Sequence, residues 1–272
     1  MYAIALDLDG TLTNSHKEVT PRTRTALLRA QSEGHIIILA SGRPTYGIEP
    51  VAECLGLHEK GGYILSYNGG KIVDARSGDE LFSQHLPGEA IPIIYKYACT
   101  HHHALLGYVG RDIVTEMPTD PYVLEESRIN RMAVREVPCL TEAIDAQPTK
   151  LLMTGEPPLM ARAEAELQAL LENSMEVYRS APFFLELVPK GIDKAQSLLR
   201  LLSRLKLQPA DLIAFGDGYN DLSMLRLAGM GVAMANAAPE VRAGADAVTL
   251  SNDEDGVAVY IEKLLSPSLS NV

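Results

Sequence analysis

The chain has 272 residues, of which 46% are hydrophobic and 22% are charged, a composition typical of globular proteins and unlike that of disordered or fibrous ones. Its 24 Lys and Arg residues against 35 Asp and Glu residues give a formal net charge of -11. Because this charge opposes binding to nucleic-acid backbones and anionic membrane surfaces, we expect neither as a partner. The chain opens on a strand pattern instead of a signal peptide, and no apolar stretch reaches the ~18 residues of a membrane span, so we expect a cytoplasmic protein.

The cysteines and a short histidine run offer little chemistry on their own. Cys54, Cys99 and Cys139 are odd in number and form no C-x-x-C pair, which argues against a disulfide framework and a zinc site and favours buried thiols. Three consecutive histidines, His101 to His103, point in different directions because they are adjacent. We interpret them as a polar helix end or loop, not as a metal site.

The first third of the chain alternates strand and helix signals. The apolar run at residues 2–6 predicts a buried parallel strand that leads into a loop over residues 7–14. Thr20 as N-cap, Pro21 as first helical residue and Gly34 as terminator predict a helix, with a second apolar strand at residues 36–40. Apolar residues at helical spacing over residues 48–55 then predict an amphipathic helix.

The same alternation returns near the C-terminus. It predicts a strand at residues 211–215, a helix at 221–228, a strand at 231–234 and a closing helix that includes residues 257–264. Repeated strand-helix units of this length are typical of an α/β protein with a doubly wound, Rossmann-like parallel-sheet core.

Between the two alternating regions the pattern changes. Short strands are predicted at residues 104–109, 151–153 and 183–188, and a long helix at 159–171. This change predicts an inserted α+β domain at residues 86–184, with residues 1–85 and 185–272 forming the α/β core. The insert has more acidic than basic residues, so we expect the core to hold most of any phosphate group.

Two carboxylates follow directly after the first predicted strand. In Asp7-Leu8-Asp9-Gly10-Thr11 they stand at i and i+2, on the same side if the backbone stays extended. One carboxylate could attack a substrate while the other transfers a proton. The carboxyl end of a strand is where ligands bind in doubly wound sheets, and Gly10 permits a sharp turn there. The motif alone would equally fit an acidic turn.

Three further segments supply complementary groups after other predicted elements. Ser41 and Gly42 offer a hydroxyl and backbone N–H groups to a phosphate near a helix N-terminus. Lys194, at the start of a helix predicted over residues 195–205, offers a fixed positive charge, although alone it would pass for a surface lysine. The glycine-rich loop at residues 216–221 contains two carboxylates and an amide, which are ligands that Mg²⁺ prefers.

Taken together, these motifs resemble the haloacid dehalogenase superfamily, and specifically its Cof-type sugar phosphatases with a class IIB cap. The resemblance covers the core through Asp7 to Thr11, Ser41-Gly42-Arg43, Ser66-Tyr67-Asn68-Gly69, Lys194, and Gly216 to Asp221 followed by Met224-Leu225. Ala195 stands where the branch usually has glycine and Gly70 where it often has alanine, and neither alters a catalytic side chain. The resemblance implies that residues 86–184 form a mixed α/β cap that selects the substrate.

The resemblance also implies a role for each matched residue. Asp7 would be the nucleophile and a Mg²⁺ ligand, and Asp9 would act as general acid and base while offering its backbone carbonyl to the metal. Asp217 would be the second side-chain ligand, and Asp221 would support the metal site through water or through the residues that bind the ion. The groups expected to hold phosphate oxygens are the Leu8 backbone, Ser41, Gly42, Lys194 and Asn220.

The expected function is therefore Mg²⁺-dependent hydrolysis of small phosphorylated metabolites, sugar phosphates first among them, by a monomer or weak homo-oligomer. A dehalogenase is disfavoured because it lacks the acid/base Asp9. A phosphomannomutase of similar cap type would call for a basic cap surface, which the acidic insert weighs against without excluding. A receiver-like regulatory module is disfavoured because it would need no insert. A dinucleotide-binding domain is disfavoured because residues 216–218 lack the third glycine of its motif.

Overall fold

The computed structural model describes residues 1–144, 147–171 and 174–266. It divides the chain into two compact units. The core unit comprises residues 1–42 and 48–82 together with the chain from Asp193 onward, and the inserted unit comprises residues 43–47 and 83–192. Among the described residues, no helix combines the length and apolar character needed to cross a membrane.

The strands within the described ranges are, in chain order, β1 (Ala3–Leu6), β2 (Ile36–Ala40), β3 (Tyr63–Ser66), β4 (Lys71–Asp74), β5 (Glu80–Ser83), β6 (Ala104–Val109), β7 (Asp112–Thr115), β8 (Ala133–Glu136), β9 (Leu151–Thr154), β10 (Met175–Ala181), β11 (Phe184–Pro189), β12 (Leu212–Gly216), β13 (Met230–Ala233) and β14 (Ala247–Val248).

The α-helices within the same ranges are α1 (Pro21–Ser32), α2 (Thr45–Cys54), α3 (Leu57–Lys60), α4 (Ala90–His101), α5 (Pro121–Asn130), α6 (Leu140–Ala143), α7 (Pro157–Leu170), α8 (Lys194–Leu205), α9 (Leu222–Leu227), α10 (Pro239–Ala243) and α11 (Gly256–Leu264). Short 3-10 turns occupy Tyr67–Gly69, Pro209–Asp211, Tyr219–Asp221 and Asn252–Glu254.

The core unit is built on one sheet with the strand order β14-β13-β12-β1-β2-β3-β4-β5. Its neighbours are parallel from β14 to β3, and β4 then pairs antiparallel with β3. Alternate residues of β1 and β2 enter two hydrophobic clusters, one with α1, α2 and α11 and the other with α8 and α9. Helices therefore cover both faces, and the predicted doubly wound α/β core is confirmed.

The site of interest lies where parallel strands end together. Leu6 at the end of β1 is in register with Leu39 of β2 and Phe215 of β12. The segments that follow these strands therefore begin at the same edge of the sheet. The strand predicted at residues 36–40 is observed with those bounds, and α1 begins at Pro21 with the Thr20 hydroxyl accepting a hydrogen bond from Thr23 N.

The inserted unit is an α+β arrangement around a sheet with the order β10-β11-β9-β6-β7-β8, in which only β7 and β8 pair in parallel. One face of this sheet packs against α4, α6 and α7, and α5 packs on the other. β11 pairs with both β9 and β10, which places Phe184–Pro189 inside this unit. The unit therefore extends to Ile192, beyond the boundary at residue 184 expected from the sequence, and begins at Ser83 instead of residue 86.

Two local expectations have different outcomes. The predicted buried thiols are wrong, because Cys99 is exposed and Cys54 and Cys139 are partly exposed. Cys99 follows Ala98 on α4 and so falls outside the stripe of buried residues that anchors this helix. The interpretation of the histidine run as a helix end is confirmed, since α4 ends at His101 and His102 caps it in the left-handed conformation, with φ 56°.

Candidate active site

Asp7 is fixed by the sheet that precedes it. Its backbone N–H donates to the carbonyl oxygen of Phe215 at 3.0 Å, which continues the pairing between β1 and β12 by one residue. The chain then folds back, with the backbone N–H and the hydroxyl of Thr13 donating to Leu8 O at 2.9 and 2.8 Å. The Asp7 side chain is consequently held in a buried position at the end of β1.

Gly10 allows this turn to approach the loop that follows β12. It has a φ of +84°, and a Cβ placed on it would lie 2.8 Å from Asp217 Cγ and closer still to one carboxylate oxygen. Any side chain here would therefore combine an unfavourable backbone conformation with a collision. Next to it, the Thr11 hydroxyl donates to Asp217 Oδ1 at 2.7 Å. The first loop thus positions the Asp217 carboxylate directly.

Lys194 places a positive charge among these carboxylates. It is the first residue of α8, whose N-cap is Asp193, and its side chain is fully buried. The Nζ atom donates to Asp7 Oδ1 and to Asp221 Oδ1, both at 2.6 Å. The lysine therefore bridges an aspartate that follows β1 and one that follows β12.

The loop after β12 is folded around Asp221. The backbone N–H groups of Asp217 and Gly218 donate to Asp221 Oδ2 at 3.0 and 2.9 Å. These bonds close the turn, so α9 begins at Leu222, after the 3-10 turn and not at residue 221 as predicted. A Cβ at Gly216 would lie 2.7 Å from Asp221 Cγ, so glycine is required for this close approach.

Burial and neighbouring charges shift the pKa values of Asp7, Lys194 and Asp217. Burial, with the neighbouring Asp221 carboxylate, raises the pKa of Asp7 to about 8, and Lys194 opposes this shift. Burial alone would lower the pKa of Lys194, but the Asp221 and Asp7 carboxylates outweigh it and raise that pKa. Burial also raises the pKa of Asp217, against the hydrogen bond from Thr11. The site therefore has more buried negative charge than Lys194 can balance.

A hard divalent cation fits this donor set. Carboxylate oxygens of Asp7, Asp217 and Asp221 lie within 4.8 Å of one another, and Mg²⁺ prefers oxygen ligands of this kind. The Asp9 side chain is engaged differently, because its Oδ1 lies 2.6 Å from Lys17 Nζ in a partly exposed ion pair. The expected contribution of Asp9 to the metal, through its backbone carbonyl, stays a prediction.

Asn68 contacts three of the residues predicted to hold phosphate. Its backbone N–H donates to Ser41 O at 2.9 Å, and its side-chain oxygen accepts from Asn220 Nδ2 at 3.1 Å. A Cβ at Gly42 would lie 3.2 Å from both polar atoms of the Asn68 amide. Asn68 therefore connects Ser41 and Gly42, after β2, with Asn220, after β12. The Leu8 side chain is buried, so this residue could serve a phosphate only through its backbone.

Comparison with protein families identifies the family of this chain. The sequence profile of the haloacid dehalogenase-like hydrolases matches residues 4–261, nearly the whole chain. The chain belongs to the haloacid dehalogenase-like hydrolases. It is accordingly an enzyme, and several of its curated relatives are named as phosphatases.

Individual members of the family are similar over their full length. "Putative phosphatase YxeH" of Bacillus subtilis (strain 168) is 32% identical, with 96% of this chain and 97% of the relative covered. The 5-amino-6-(5-phospho-D-ribitylamino)uracil phosphatase YwtE of the same organism is 29% identical, with 98% and 99% covered. The crystal structure of a haloacid dehalogenase-like hydrolase from Bacteroides thetaiotaomicron is 49% identical, with 97% and 99% covered and a TM-score of 0.95.

Some residues of this haloacid dehalogenase-like hydrolase received no role from the sequence. Thr11 and Asn68 lie within the motifs quoted above. Asn68 has a left-handed backbone, with φ 55°, and the Asn-Gly sequence at this position could have predicted that conformation. Lys17 and Asn236 carry no local signal. Asn236 Nδ2 donates to Gly10 O at 2.8 Å, a contact between residues far apart in the sequence.

Proposed function

We propose that this enzyme hydrolyses small phosphate monoesters through a phosphoaspartate formed on Asp7, with Mg²⁺ as cofactor. One observation supports the proposal most strongly: Lys194 lies 2.6 Å from Asp7 within a group of three aspartates, of which Asp7 and Asp221 are buried and Asp217 is partly buried. An arrangement of one nucleophilic carboxylate, a fixed ammonium group and a cation-binding carboxylate set suits phosphoryl transfer, which depends mainly on positioning and positive charge.

Two steps account for the reaction. A carboxylate oxygen of Asp7 bonds to phosphorus as the bond to the leaving oxygen breaks, and Asp9 donates a proton to that oxygen. Asp9 then accepts a proton from water, whose oxygen bonds to phosphorus while the bond to Asp7 breaks. Phosphate leaves and both carboxylates return to their starting state. Splitting one difficult displacement into two is the advantage of covalent catalysis.

The remaining residues would supply positive charge and position the substrate phosphate. Lys194 opposes the rise in the pKa of Asp7 and so favours the ionised, nucleophilic carboxylate, and its ammonium group would face the phosphoryl oxygens. Mg²⁺, held by Asp7, Asp217 and the Asp9 backbone with help from Asp221, would supply positive charge against those oxygens. The other phosphate oxygens would be bound by the hydroxyl of Ser41, backbone N–H groups of Leu8 and Gly42, and the amide of Asn220.

Sugar phosphates and related polyol phosphates are the proposed substrates. The relative YwtE supports this, because its name includes a 5-phospho-D-ribityl group and the two proteins match over nearly their whole length. We propose the inserted unit as the cap that selects among such substrates. The cytoplasmic location and the monomeric or weakly oligomeric state stay predictions.

A panel assay tests the proposal. Phosphate release is measured from sugar phosphates, nucleotides and an aryl phosphate, with Mg²⁺ and with EDTA. The matched variants are Asp7→Asn and Asp79→Asn, the latter an exposed aspartate of the core unit. Release that needs Mg²⁺ and is lost only in Asp7→Asn supports the proposal. Release that persists in Asp7→Asn contradicts it, and a transferred instead of released phosphoryl group would indicate the mutase.

A further inference from the structure

Lys17 forms an ion pair with the aspartate that would transfer protons in the proposed reaction. Its Nζ lies 2.6 Å from Asp9 Oδ1, and the side chains of Lys17 and Asp9 are 45% and 35% exposed. An ion pair with this much exposure to water contributes little to the stability of a protein. Stability alone is therefore a poor explanation of the contact.

The backbone of Lys17 adopts a conformation that favours glycine. Its φ is 62°, in the left-handed region, where a residue with a Cβ is strained. Residues in such conformations persist only where their surroundings fix them, and they occur preferentially at functional sites. The chain thus keeps a lysine at a position where glycine would be less strained.

A tight turn fixes this conformation of Lys17. The side-chain oxygen of Asn14 accepts hydrogen bonds from the backbone N–H groups of His16 and Glu18, both at 3.0 Å. The carbonyl oxygen of Asn14 accepts the backbone N–H of Lys17 at 2.9 Å, and the Asn14 N–H donates to Glu18 O at 3.0 Å. These hydrogen bonds to one asparagine determine where the Lys17 side chain leaves the backbone.

The same turn is attached to the C-terminal part of the core unit. The backbone N–H of Ser15 donates to Asp253 Oδ1 at 2.8 Å, and Asn252 Nδ2 donates to Thr13 O at 3.0 Å. The turn that carries Lys17 is therefore held by residues far away in the sequence as well as by its own asparagine.

The contact between Lys17 and Asp9 determines which oxygen of Asp9 can carry a proton. An ammonium group has hydrogen-bond donors but no acceptor, so the oxygen that it contacts, Oδ1, must act as an acceptor. A proton on Asp9 therefore resides on Oδ2. A general acid or base works efficiently only when its transferring atom lies within hydrogen-bond distance of the reacting oxygen, so the orientation of this carboxyl group matters for catalysis.

We propose that Lys17 is a positioning residue that orients Asp9 for both proton transfers, an inference that rests on the proposed function. Oδ2 of Asp9 gives its proton to the leaving oxygen in the first step and accepts a proton from water in the second. Lys17 itself passes no proton and contacts no reacting atom. Without its ammonium group the carboxyl group rotates more freely, and Oδ2 is directed at the reacting oxygen less often.

Glycine at position 17 separates this role from a structural one. Lys17→Gly removes the ammonium group and relieves the backbone strain, so the melting temperature should be unchanged or higher. At the same time kcat for a sugar phosphate should fall about tenfold or more with little change in KM, because misdirected catalytic groups are slow. Lys17→Arg keeps a positive charge and hydrogen-bond donors, and it should recover most of the lost activity.

Lys206→Gly is the matched control. Lys206 is an exposed lysine that caps α8 in the left-handed conformation, with φ 59°. The same substitution there should also relieve strain, but it should leave phosphate release unchanged. Equal activity in Lys17→Gly and Lys206→Gly would overturn the proposal. A higher KM with an unchanged kcat in Lys17→Gly would overturn it as well, because it would show that Lys17 binds the substrate.

A comparison of leaving groups shows whether Lys17 acts through Asp9. The leaving oxygen of a sugar phosphate needs a proton, whereas that of an aryl phosphate departs without one. The loss of kcat/KM in Lys17→Gly should therefore be much larger for the sugar phosphate than for the aryl phosphate. Equal losses for the two substrates would indicate general damage to the site and would overturn the proposal.

Failure of the proposed function gives a different result from failure of this inference. Phosphate release that persists in Asp7→Asn would remove the reaction on which the role of Lys17 depends and would overturn both. Phosphate release that requires Asp7, together with wild-type kinetics in Lys17→Gly, would overturn the role of Lys17 alone.

Discussion

Lys194 and Asp7 form a buried ion pair, with 2.6 Å between Nζ and Oδ1 and with side chains that are 0% and 9% exposed. The lysine also pairs with Asp221, so one ammonium group faces two buried carboxylates. Charges taken out of water are costly unless they are paired. The pair therefore ties the stability of the core unit to its proposed chemistry.

Removal of the ammonium group should cost both stability and activity. Lys194→Met keeps most of the side-chain volume but leaves Asp7 and Asp221 buried without their cation. The free energy of unfolding should fall by about 3–5 kcal/mol, the usual cost of breaking a buried pair. Thermal unfolding and phosphate release measure the two effects, with the exposed Lys190→Met as control. A variant as stable and active as the control would show that the pair has neither role.

Thr11 should set the affinity of the site for Mg²⁺. Thr11→Val removes the hydroxyl that donates to Asp217 Oδ1 at 2.7 Å while it preserves the side-chain shape. The Mg²⁺ concentration for half-maximal activity should rise roughly tenfold or more, because a hydrogen bond to a charged group contributes about 1.5–3 kcal/mol. Thr13→Val is the matched control, since its hydroxyl donates to Leu8 O in the same loop. Equal Mg²⁺ titrations for the two variants would contradict this role.

Gly10→Ala, with Gly78→Ala as its control, tests the close approach of the loop after β1 to the loop after β12. Both have positive φ angles, +84° and +76°, but only at Gly10 would a Cβ collide with Asp217, while nothing lies within 4 Å of a Cβ at Gly78. Alanine at either position should cost on the order of 1–2 kcal/mol in backbone conformation. Only Gly10→Ala should also abolish phosphate release, and comparable loss in Gly78→Ala would mean that strain alone explains the effect.

Glu126 in the inserted unit should make stability depend on pH. Burial raises its pKa above the ordinary value of 4.5, although Lys150 and the Tyr108 hydroxyl oppose the shift. Because the folded-state pKa is the higher one, wild-type stability is lost as pH rises from about 4.5 through that pKa. Glu126→Gln should therefore raise the melting temperature at neutral pH, and the difference should disappear in acid.

Glu125, which precedes Glu126 on α5, has a pKa shifted in the opposite direction. Arg128 lowers the pKa of Glu125, whose Oε1 lies 2.6 Å from Arg128 Nη2 on the protein surface. Glu125→Gln should leave the melting temperature unchanged or slightly lower at neutral pH. A lower melting temperature for Glu126→Gln than for Glu125→Gln would show that the Glu126 charge stabilises the inserted unit instead of destabilising it.

Local patterns in the sequence were sufficient for much of the fold. The strands at residues 36–40 and 104–109 have the predicted bounds, because continuous apolar runs there are bordered by polar or turn residues. The boundary expected at residue 184 cut through the strand predicted at residues 183–188, whereas β11 pairs along its length with β9 and β10 inside the inserted unit. Pairing partners decide such a case, and they are a tertiary property.

The sequence motifs predicted which residues form the candidate site, but they did not predict the hydrogen bonds between these residues. Sequence order shows that aspartates follow β1 and β12, yet it cannot show that Lys194 reaches both of them or that Asn68 connects Ser41 with Asn220. The exposure of Cys99 was also missed, because cysteine is usually buried and its side of α4 depends on which face the sheet covers.

Chemical trapping of the intermediate tests the central claim most directly. The enzyme is quenched during turnover with Mg²⁺ and substrate and treated with borohydride, which reduces an acyl phosphate to an alcohol. Peptide mass spectrometry should find the reduced side chain at Asp7 in the wild-type enzyme, and neither in the absence of Mg²⁺ nor in Asp7→Asn. Steady phosphate release with an unmodified Asp7, or reduction at another carboxylate, would contradict a phosphoaspartate on Asp7.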